Sequence, residues 1–127
     1  MELDYDFVRD LLIFCAESKH KFGPTNKETI EFSKSKSIPI NQLAFTVNKL
    51  FEAGFTTHDV EYASNKPKRV MPGNLTWEGN EYLNSIKNKS TWNNIKKLIS
   101  EKGLSISFDV IKDTAKAYVK IVSVYRF

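Results

Sequence analysis

The spacing of apolar residues is helical over most of this chain and changes once, between residues 55 and 75. Before the change, the spacing predicts three helices, at about residues 4 to 19, 26 to 35 and 40 to 53. Thr25 and Glu28 form a capping box at the start of the second helix, and Gly54 suits the left-handed position after the third. These signals constrain the first 54 residues to a three-helix unit.

The interruption has the composition of a β-hairpin. Residues 55 to 63 and 70 to 75 are rich in β-branched and aromatic side chains, and a polar segment from 64 to 69, which contains Pro67, separates them. This pattern predicts two strands joined by that segment. Three helices and a hairpin predict a winged helix-turn-helix, whose third helix would present its outer face to a DNA groove. The expected fold is therefore mainly α with a small β-hairpin.

Three further helices follow the hairpin in the sequence. Thr76 is expected to cap a helix that ends near residue 87, Ser90 or Thr91 to cap the next, and Phe108 to begin the last. A chain of 127 residues suits one domain, with a winged-helix core at 1 to 75 and a C-terminal helical extension at 76 to 127.

The last helix carries a regular apolar stripe, formed by Phe108, Ile111, Ala115, Tyr118, Val122 and Tyr125. One side of such a stripe must be covered. It packs either across the first and third helices of its own domain or against a second copy as a homodimer seam, and the spacing leaves both arrangements open.

Composition disfavours several classes of protein. No apolar run approaches the roughly 20 residues that span a bilayer, and the N-terminus is acidic where a secretory signal would be basic. Cys15 lies in an apolar run, which is typical of a buried thiol in a reducing compartment. His20 and His58 stand alone, without ligand spacing or a nucleophile motif. We therefore expect a cytoplasmic protein that is not an enzyme and has no metal, cofactor or small-molecule ligand.

Charge is distributed unevenly along the chain. Residues 1 to 63 carry 7 Lys and Arg against 10 Asp and Glu, a net charge of −3, whereas residues 64 to 127 carry 12 against 5, a net charge of +7. Such a split suits an anionic partner such as nucleic acid, or a head-to-tail contact between protomers. Solubilising lysines on exposed helix faces are the alternative explanation.

The predicted third helix is amphipathic, with an aromatic residue on its polar side. Its outer face collects Asn41, Gln42, Asn48, Lys49 and Glu52. Amides could address adenine edges, but one lysine offset by a glutamate attracts phosphate weakly. Phe45 falls in the middle of this face, which indicates either a covering helix or a protein contact.

The densest basic cluster lies in the hairpin, at Lys66, Lys68 and Arg69. Such a cluster could follow a sugar–phosphate backbone and would make binding steeply dependent on salt. Three cations in one turn are also common on solvated loops, so sequence-specific recognition does not follow.

A family resemblance rests on the T-W-E-G sequence at residues 76 to 79, the Trp92-bearing segment and S-F-D-V-I-K at 107 to 112. Together with L-D-Y-D-F-V-R-D-L-L near the start and L-F-E-A-G-F at 50 to 55, these motifs resemble an uncharacterised bacterial and phage family, domain of unknown function 2513. The resemblance implies a winged-helix-like fold and no particular activity. Where the family commonly has Tyr-His this chain has Phe45-Thr46, so no histidine role carries over.

Two functions are consistent with these patterns. The first is a DNA-binding accessory or regulatory protein of bacterial or prophage origin, with Asn41, Gln42, Asn48, Lys49, Lys66, Lys68 and Arg69 as candidate contacts. The second is a protein-interaction module, for instance a phage-encoded modulator of a host protein. Its candidate contacts are Phe45, Tyr118, Val122, Tyr125 and Phe127. Fold alone does not choose between them, because winged helices serve both uses.

Overall fold

A computed structural model of the protein describes residues 1–124. In this range the chain forms six helices and one two-stranded antiparallel hairpin, so the fold is mainly helical. The helices are α1 (Tyr5–Ala16), α2 (Asn26–Ser35), α3 (Ile40–Glu52), α4 (Trp77–Ile86), α5 (Lys89–Glu101) and α6 (Phe108–Val124), and the strands are β1 (Glu61–Ala63) and β2 (Lys66–Arg69). The chain divides into two compact units, residues 1–80 and residues 81–127.

The core of the first unit is apolar and comes mainly from α1 and α3. It includes Val8, Leu11, Leu12, Leu43, Val47 and Leu50, all of which are fully buried. The predicted amphipathic character of α3 is therefore confirmed at its centre, whereas its apolar residues Ile40 and Phe51 are exposed. The two residues lie at the first and next-to-last positions of α3, beyond the central turns that pack on the core. Thr46 takes a buried place instead, and its hydroxyl donates to the Gln42 carbonyl at 2.8 Å.

Local capping explains where the first two helices begin. Asp4 Oδ1 accepts from the Phe7 N–H at 3.0 Å, which places the start of α1 one residue later than predicted. The predicted capping box of α2 is confirmed, because Thr25 Oγ1 accepts from the Glu28 N–H while Glu28 Oε1 accepts from the Thr25 N–H. These bonds satisfy N–H groups that have no partner inside the helix.

The hairpin is present, but its strands are not where the composition placed them. The two-residue loop is Ser64-Asn65, and both residues have positive φ, 52° and 64°, as a type I′ turn requires. The second strand therefore starts at Lys66, inside the segment predicted to be a connection. Pro67 is compatible with this strand because a two-stranded hairpin has only edge strands.

The residues on either side of the hairpin pair as an irregular stem. The Thr57 N–H donates to the Asn74 carbonyl and the His58 N–H to the Pro72 carbonyl, each at 3.1 Å, and Thr56 forms an isolated bridge with Leu75. Residues 56 to 58 therefore pair with residues 72, 74 and 75 without forming regular strands, and the predicted strand bounds are wrong.

The stem ends where α4 docks against the end of α3. The Thr76 N–H donates to the Phe55 carbonyl at 3.0 Å, the Thr76 hydroxyl donates to the Gly54 carbonyl, and the Gly79 N–H donates to Thr76 Oγ1 at 3.1 Å. A Cβ on Gly79 would lie only 2.1 Å from the Phe55 carbonyl oxygen. Glycine is required here by the close backbone contact, since its own φ is helical.

The second unit packs α5 along α6. Trp92, Ile95 and Ile99 of α5 are buried, as are Ile111, Thr114 and Ala115 of α6. The Tyr82 and Phe108 rings meet edge to face at 5.2 Å between centroids. The predicted cap of α5 is wrong: Asn88 caps it, with Oδ1 accepting from the Thr91 N–H at 3.0 Å. Asn competes well with Ser and Thr at this position.

The single cysteine is a core residue. Cys15 is buried in α1, and desolvation raises the pKa of its thiol to about 12. The thiolate, which is the nucleophilic form, is therefore scarce near neutral pH.

We predict that Gly79→Ala destabilises the protein by about 2 kcal/mol net, because overpacking against a fixed backbone atom 2.1 Å away costs about 3 kcal/mol, the upper end of the usual range. This penalty exceeds the roughly 1 kcal/mol that alanine gains in helix propensity. Urea unfolding measures the difference. In the control Gly103→Ala no atom lies within 4 Å of the new Cβ, so only its positive φ of 66° should cost stability, about 1 kcal/mol. A Gly79→Ala protein as stable as wild type would contradict the docking contact.

A second prediction concerns pH. The backbone hydrogen bond from Thr25 is the main cause that lowers the pKa of Glu28. A lowered folded-state pKa means that the carboxylate stabilises the fold above its unfolded pKa, about 4.3, and that this contribution disappears as pH falls. Glu28→Gln keeps an acceptor for the capping box but cannot titrate. The difference in melting temperature between wild type and Glu28→Gln should therefore be largest near pH 6 and shrink as pH falls below about 4, through the lowered folded-state pKa of Glu28.

Glu31→Gln, an exposed substitution on the same helix, is the matched control and should show no such trend. An unchanging difference for Glu28→Gln across the range would contradict the assignment.

Candidate functional site

The outer face of α3 forms one wall of an open groove, and the hairpin forms the other. The groove has a volume of about 450 Å³. It is lined by Met1, Asn41, Ala44, Phe45, Asn48, Lys49, Glu52, Tyr62, Asn65 and Pro67. Five of these residues belong to the outer face predicted from the helical wheel, with Phe45 among them. The prediction that Phe45 faces outward is therefore confirmed.

The amide side chains of α3 are mostly engaged within the protein. Asn48 Nδ2 donates to the Tyr62 hydroxyl at 2.8 Å, which ties the hairpin to the helix. Gln42 Nε2 donates to the Glu2 carbonyl at 2.8 Å, and Gln42 does not line the groove. Two of the three amides predicted to read bases thus have partners in their own chain.

The one cation on this face is also paired. Lys49 Nζ lies 2.9 Å from Glu52 Oε2 and 5.6 Å from the centroid of the Phe45 ring. The pair contributes no net charge to the groove. An exposed pair of this kind stabilises the helix only slightly, so its main effect here is to remove a free phosphate contact.

Phe45 itself is half-buried. The sequence left two alternatives, a ring covered in a core or a ring exposed for a partner, and the structure corresponds to neither extreme. Phe45 lines an open groove with Tyr62 and Pro67, which pair across the hairpin.

The basic cluster of the hairpin is exposed and lies apart from the groove. Side chains alternate between the two faces of a strand, and Pro67 lines the groove, so Lys66 and Lys68 lie on the opposite face. Neither lysine forms an ion pair with any residue in the described part of the chain. Arg69 is partly neutralised, because its Nε lies 3.8 Å from Glu61 Oε2. The structure therefore separates the predicted DNA contacts into two surfaces.

The charge of the two units differs in sign. Residues 1–80 carry 10 Lys and Arg against 11 Asp and Glu, a net charge of −1, whereas residues 81–127 carry 9 against 4, a net charge of +5. The unit with the helix-turn-helix pattern is thus slightly acidic, and most of the excess positive charge lies beyond it.

The candidate contacts on the last helix are only partly exposed. Tyr118 and Val122 are half-buried, and the Tyr118 hydroxyl accepts from Asn94 Nδ2 of α5 at 3.1 Å. Much of the predicted stripe is therefore used inside its own unit. Val119 and Ile121, on its flanks, are exposed. Tyr125 and Phe127 lie outside the described residues.

Both histidines have local partners. His20 Nε2 lies 3.1 Å from Glu28 Oε1, and His58 Nδ1 lies 2.7 Å from the Thr57 hydroxyl. Among residues 1–124, no three side chains of the metal-binding types gather into a possible ligand set.

Tyr62 and Trp77 are exposed aromatic residues that the sequence-based candidates do not include. Tyr62 is exposed and lines the groove; a correct placement of the Ser64-Asn65 turn would have indicated which way it faces. Trp77 is 80% exposed at the first position of α4, directly after Thr76. The first side chain of a helix lies before the turns that pack against the core. The position of Trp77 directly after the capping residue Thr76 was therefore the sequence signal for its exposure.

The comparison with known proteins agrees with the motifs in the sequence. A family model described as "Hypothetical protein (DUF2513)" matches residues 2–105. The chain belongs to this family. The DUF2513 match includes α1 to α5 and the hairpin but ends before α6, so the resemblance at Phe108–Lys112 lies outside it.

One similar curated protein is an "Uncharacterized protein" of Haemophilus influenzae. It is 24% identical to this DUF2513 protein over 119 residues, which is 94% of this chain and 96% of the relative. No solved structure matches. Within the described residues, none of the helices has the length and apolar character needed to cross a membrane.

Proposed function

We propose that this DUF2513 protein is a non-enzymatic binding protein whose first unit, a winged helix, uses the groove between α3 and the hairpin to contact another protein. The observation that carries the proposal is the state of the outer face of α3. A DNA-reading helix needs this face free, yet Asn48 holds the hairpin against it and Glu52 neutralises Lys49.

The groove has the character of a protein contact. Its apolar surface comes from Phe45, Tyr62 and Pro67, and its polar surface from asparagine amides and a balanced ion pair. Interfaces are enriched in aromatic residues and poor in uncompensated charge at their centres. The expected occupant is an aromatic or aliphatic side chain from an uncharged segment of a partner protein, with the rim amides bonding to its backbone.

Phe45→Ala tests this proposal. The ring is half-buried, so its loss should lower the free energy of unfolding by about 2 kcal/mol, roughly half the cost of truncating a core aromatic residue. The loss of affinity for a partner should be larger for Phe45→Ala than for the truncation of a residue at the rim of the groove. Affinity should fall about 30-fold or more, as for a hot-spot residue.

The partner is obtained by crosslinking in the native cells, with a photoreactive phenylalanine at Asn41, an exposed residue on the groove, or at Lys34, an exposed residue of α2, as the control. A protein crosslinked from position 41 alone is purified and titrated against wild type, Phe45→Ala and Ile40→Ala. Ile40 is exposed on the same helix and does not line the groove. Equal affinity of the three proteins would contradict the proposal.

Contact with the DNA backbone through the hairpin is a second candidate function. It is favoured by the exposure of Lys66 and Lys68 on the side away from the groove. Such binding would be independent of base sequence and would be weakened by the net charge of −1 on the unit.

The test is a titration against random duplex DNA at about 50 and 200 mM salt. Replacing Lys66, Lys68 and Arg69 with alanine should weaken binding to all sequences and make the salt slope shallower by about 2 to 3 units, because each phosphate contact contributes about 0.9. Unchanged binding and slope would exclude the hairpin, and no binding by wild type at low salt would exclude this function.

A further inference from the structure

Trp77 is exposed in a segment whose other residues have structural roles. Thr76 and Gly79 hold the start of α4 against Phe55, as their hydrogen bonds and close contact show. Trp77 takes no part in this docking and is 80% exposed, the highest value among the large hydrophobic residues described. The other tryptophan, Trp92, is 2% exposed. Nothing in the packing of α4 therefore accounts for an indole at position 77.

Lysine side chains lie over several other rings of this chain. Lys21 lies over Phe22, Lys36 over Phe32, Lys49 over Phe45 and Lys96 over Trp92, with Nζ to centroid distances of 5.4, 5.7, 5.6 and 5.3 Å. Phe22 is itself 64% exposed, so the pattern includes surface rings. No cation from residues 1–124 lies over the ring of Trp77. Its indole, the best cation acceptor among aromatic side chains, is thus open to a cation from another molecule.

The charges around Trp77 favour the same ligand. Helix α4 contains two glutamates and no lysine or arginine. Glu78 Oε2 lies 3.2 Å from the position of a Cβ on Gly54, which places this carboxylate beside the C-terminal end of α3. The carbonyl groups at a helix C-terminus carry partial negative charge. The N-terminus of α4 carries partial positive charge, but the full negative charge of Glu78 exceeds it, so a cation is complementary both to the indole and to the carboxylate beside it.

We propose that Trp77 and Glu78 bind a lysine or arginine side chain presented by a basic segment of a partner protein. The alkyl stem or guanidinium plane lies on the indole, and the charge is attracted by the Glu78 carboxylate of the next residue, without a direct ion pair. This site lies on a different element from the groove and does not depend on the groove being occupied.

The test uses a fluorescein-labelled ten-residue oligolysine peptide, with a ten-residue oligoglutamate as the opposite-charge control, in anisotropy titrations of the full chain at about 50 mM salt. Oligolysine should bind, whereas oligoglutamate, which the net charge of +5 on residues 81–127 attracts, should bind independently of Trp77. Trp77→Ser and Glu78→Gln should each weaken oligolysine binding about fivefold, the loss expected for one exposed cation–π contact or one neighbouring charge. Two control variants should leave it unchanged: Phe22→Ser, an exposed ring already covered by Lys21, and Glu31→Gln, the same charge change elsewhere.

Several outcomes would overturn the proposal. They are no detectable oligolysine binding, oligolysine affinity unaffected by Trp77→Ser, an equal loss of oligoglutamate binding in Trp77→Ser, or an equal loss of oligolysine binding in Glu31→Gln. Loss of the folded state in Trp77→Ser would also overturn it, because the indole would then have a structural role. Phe45→Ala should retain full oligolysine binding, which separates failure of this site from failure of the groove.

Discussion

The contact between the start of α4 and the Phe55 carbonyl fixes much of the first unit. Gly79 allows the backbones to meet, and Thr76 bonds to both Gly54 and Phe55. The chain therefore leaves α3 and returns to the same point 21 residues later. The residues between Phe55 and Thr76 therefore form a long loop whose two ends are held together at its base. Above the base the loop has a paired stem, and the hairpin lies at its tip. A short two-stranded hairpin is marginal alone, so its position depends on this base and on the helices it touches.

Two hydrogen bonds then set where the hairpin lies. Asn26 Oδ1 accepts from the Val70 N–H at 2.7 Å, which attaches the stem to α2, and Asn48 donates to the Tyr62 hydroxyl, which attaches the tip region to α3. The second bond has a functional consequence, because it places an aromatic side chain beside the face that a DNA-reading helix keeps open. The hairpin thereby converts an amphipathic helix into the wall of a groove. A shared helix-turn-helix pattern does not decide the partner, and our proposal of a protein partner rests on this occupied face.

Local signals predicted the helices well and the strands poorly. The capping box at Thr25 and the stop at Gly54, with φ of 78°, depend on neighbouring residues and could be predicted directly. The hairpin turn depends on Ser64 and Asn65 both adopting left-handed backbone, which neither residue demands, and the proline in β2 suggested a connection instead. For the groove, the helical wheel predicted the outward position of Phe45 but could not predict its opposite wall.

The sequence by itself determined the order of helices and hairpin, the buried faces of α1 and α3, and family membership, because periodicity, caps and motifs are properties of adjacent residues. Tertiary structure decided which exposed side chains are available. Asn48 bonds to Tyr62, 14 positions away in the sequence, and Gln42 bonds to Glu2, 40 positions away. Gly79 contacts Phe55 across the base of the loop that carries the hairpin. Contacts at such separations leave no local pattern. Only the fold therefore reveals that the side-chain amides of Gln42 and Asn48 are engaged within the protein.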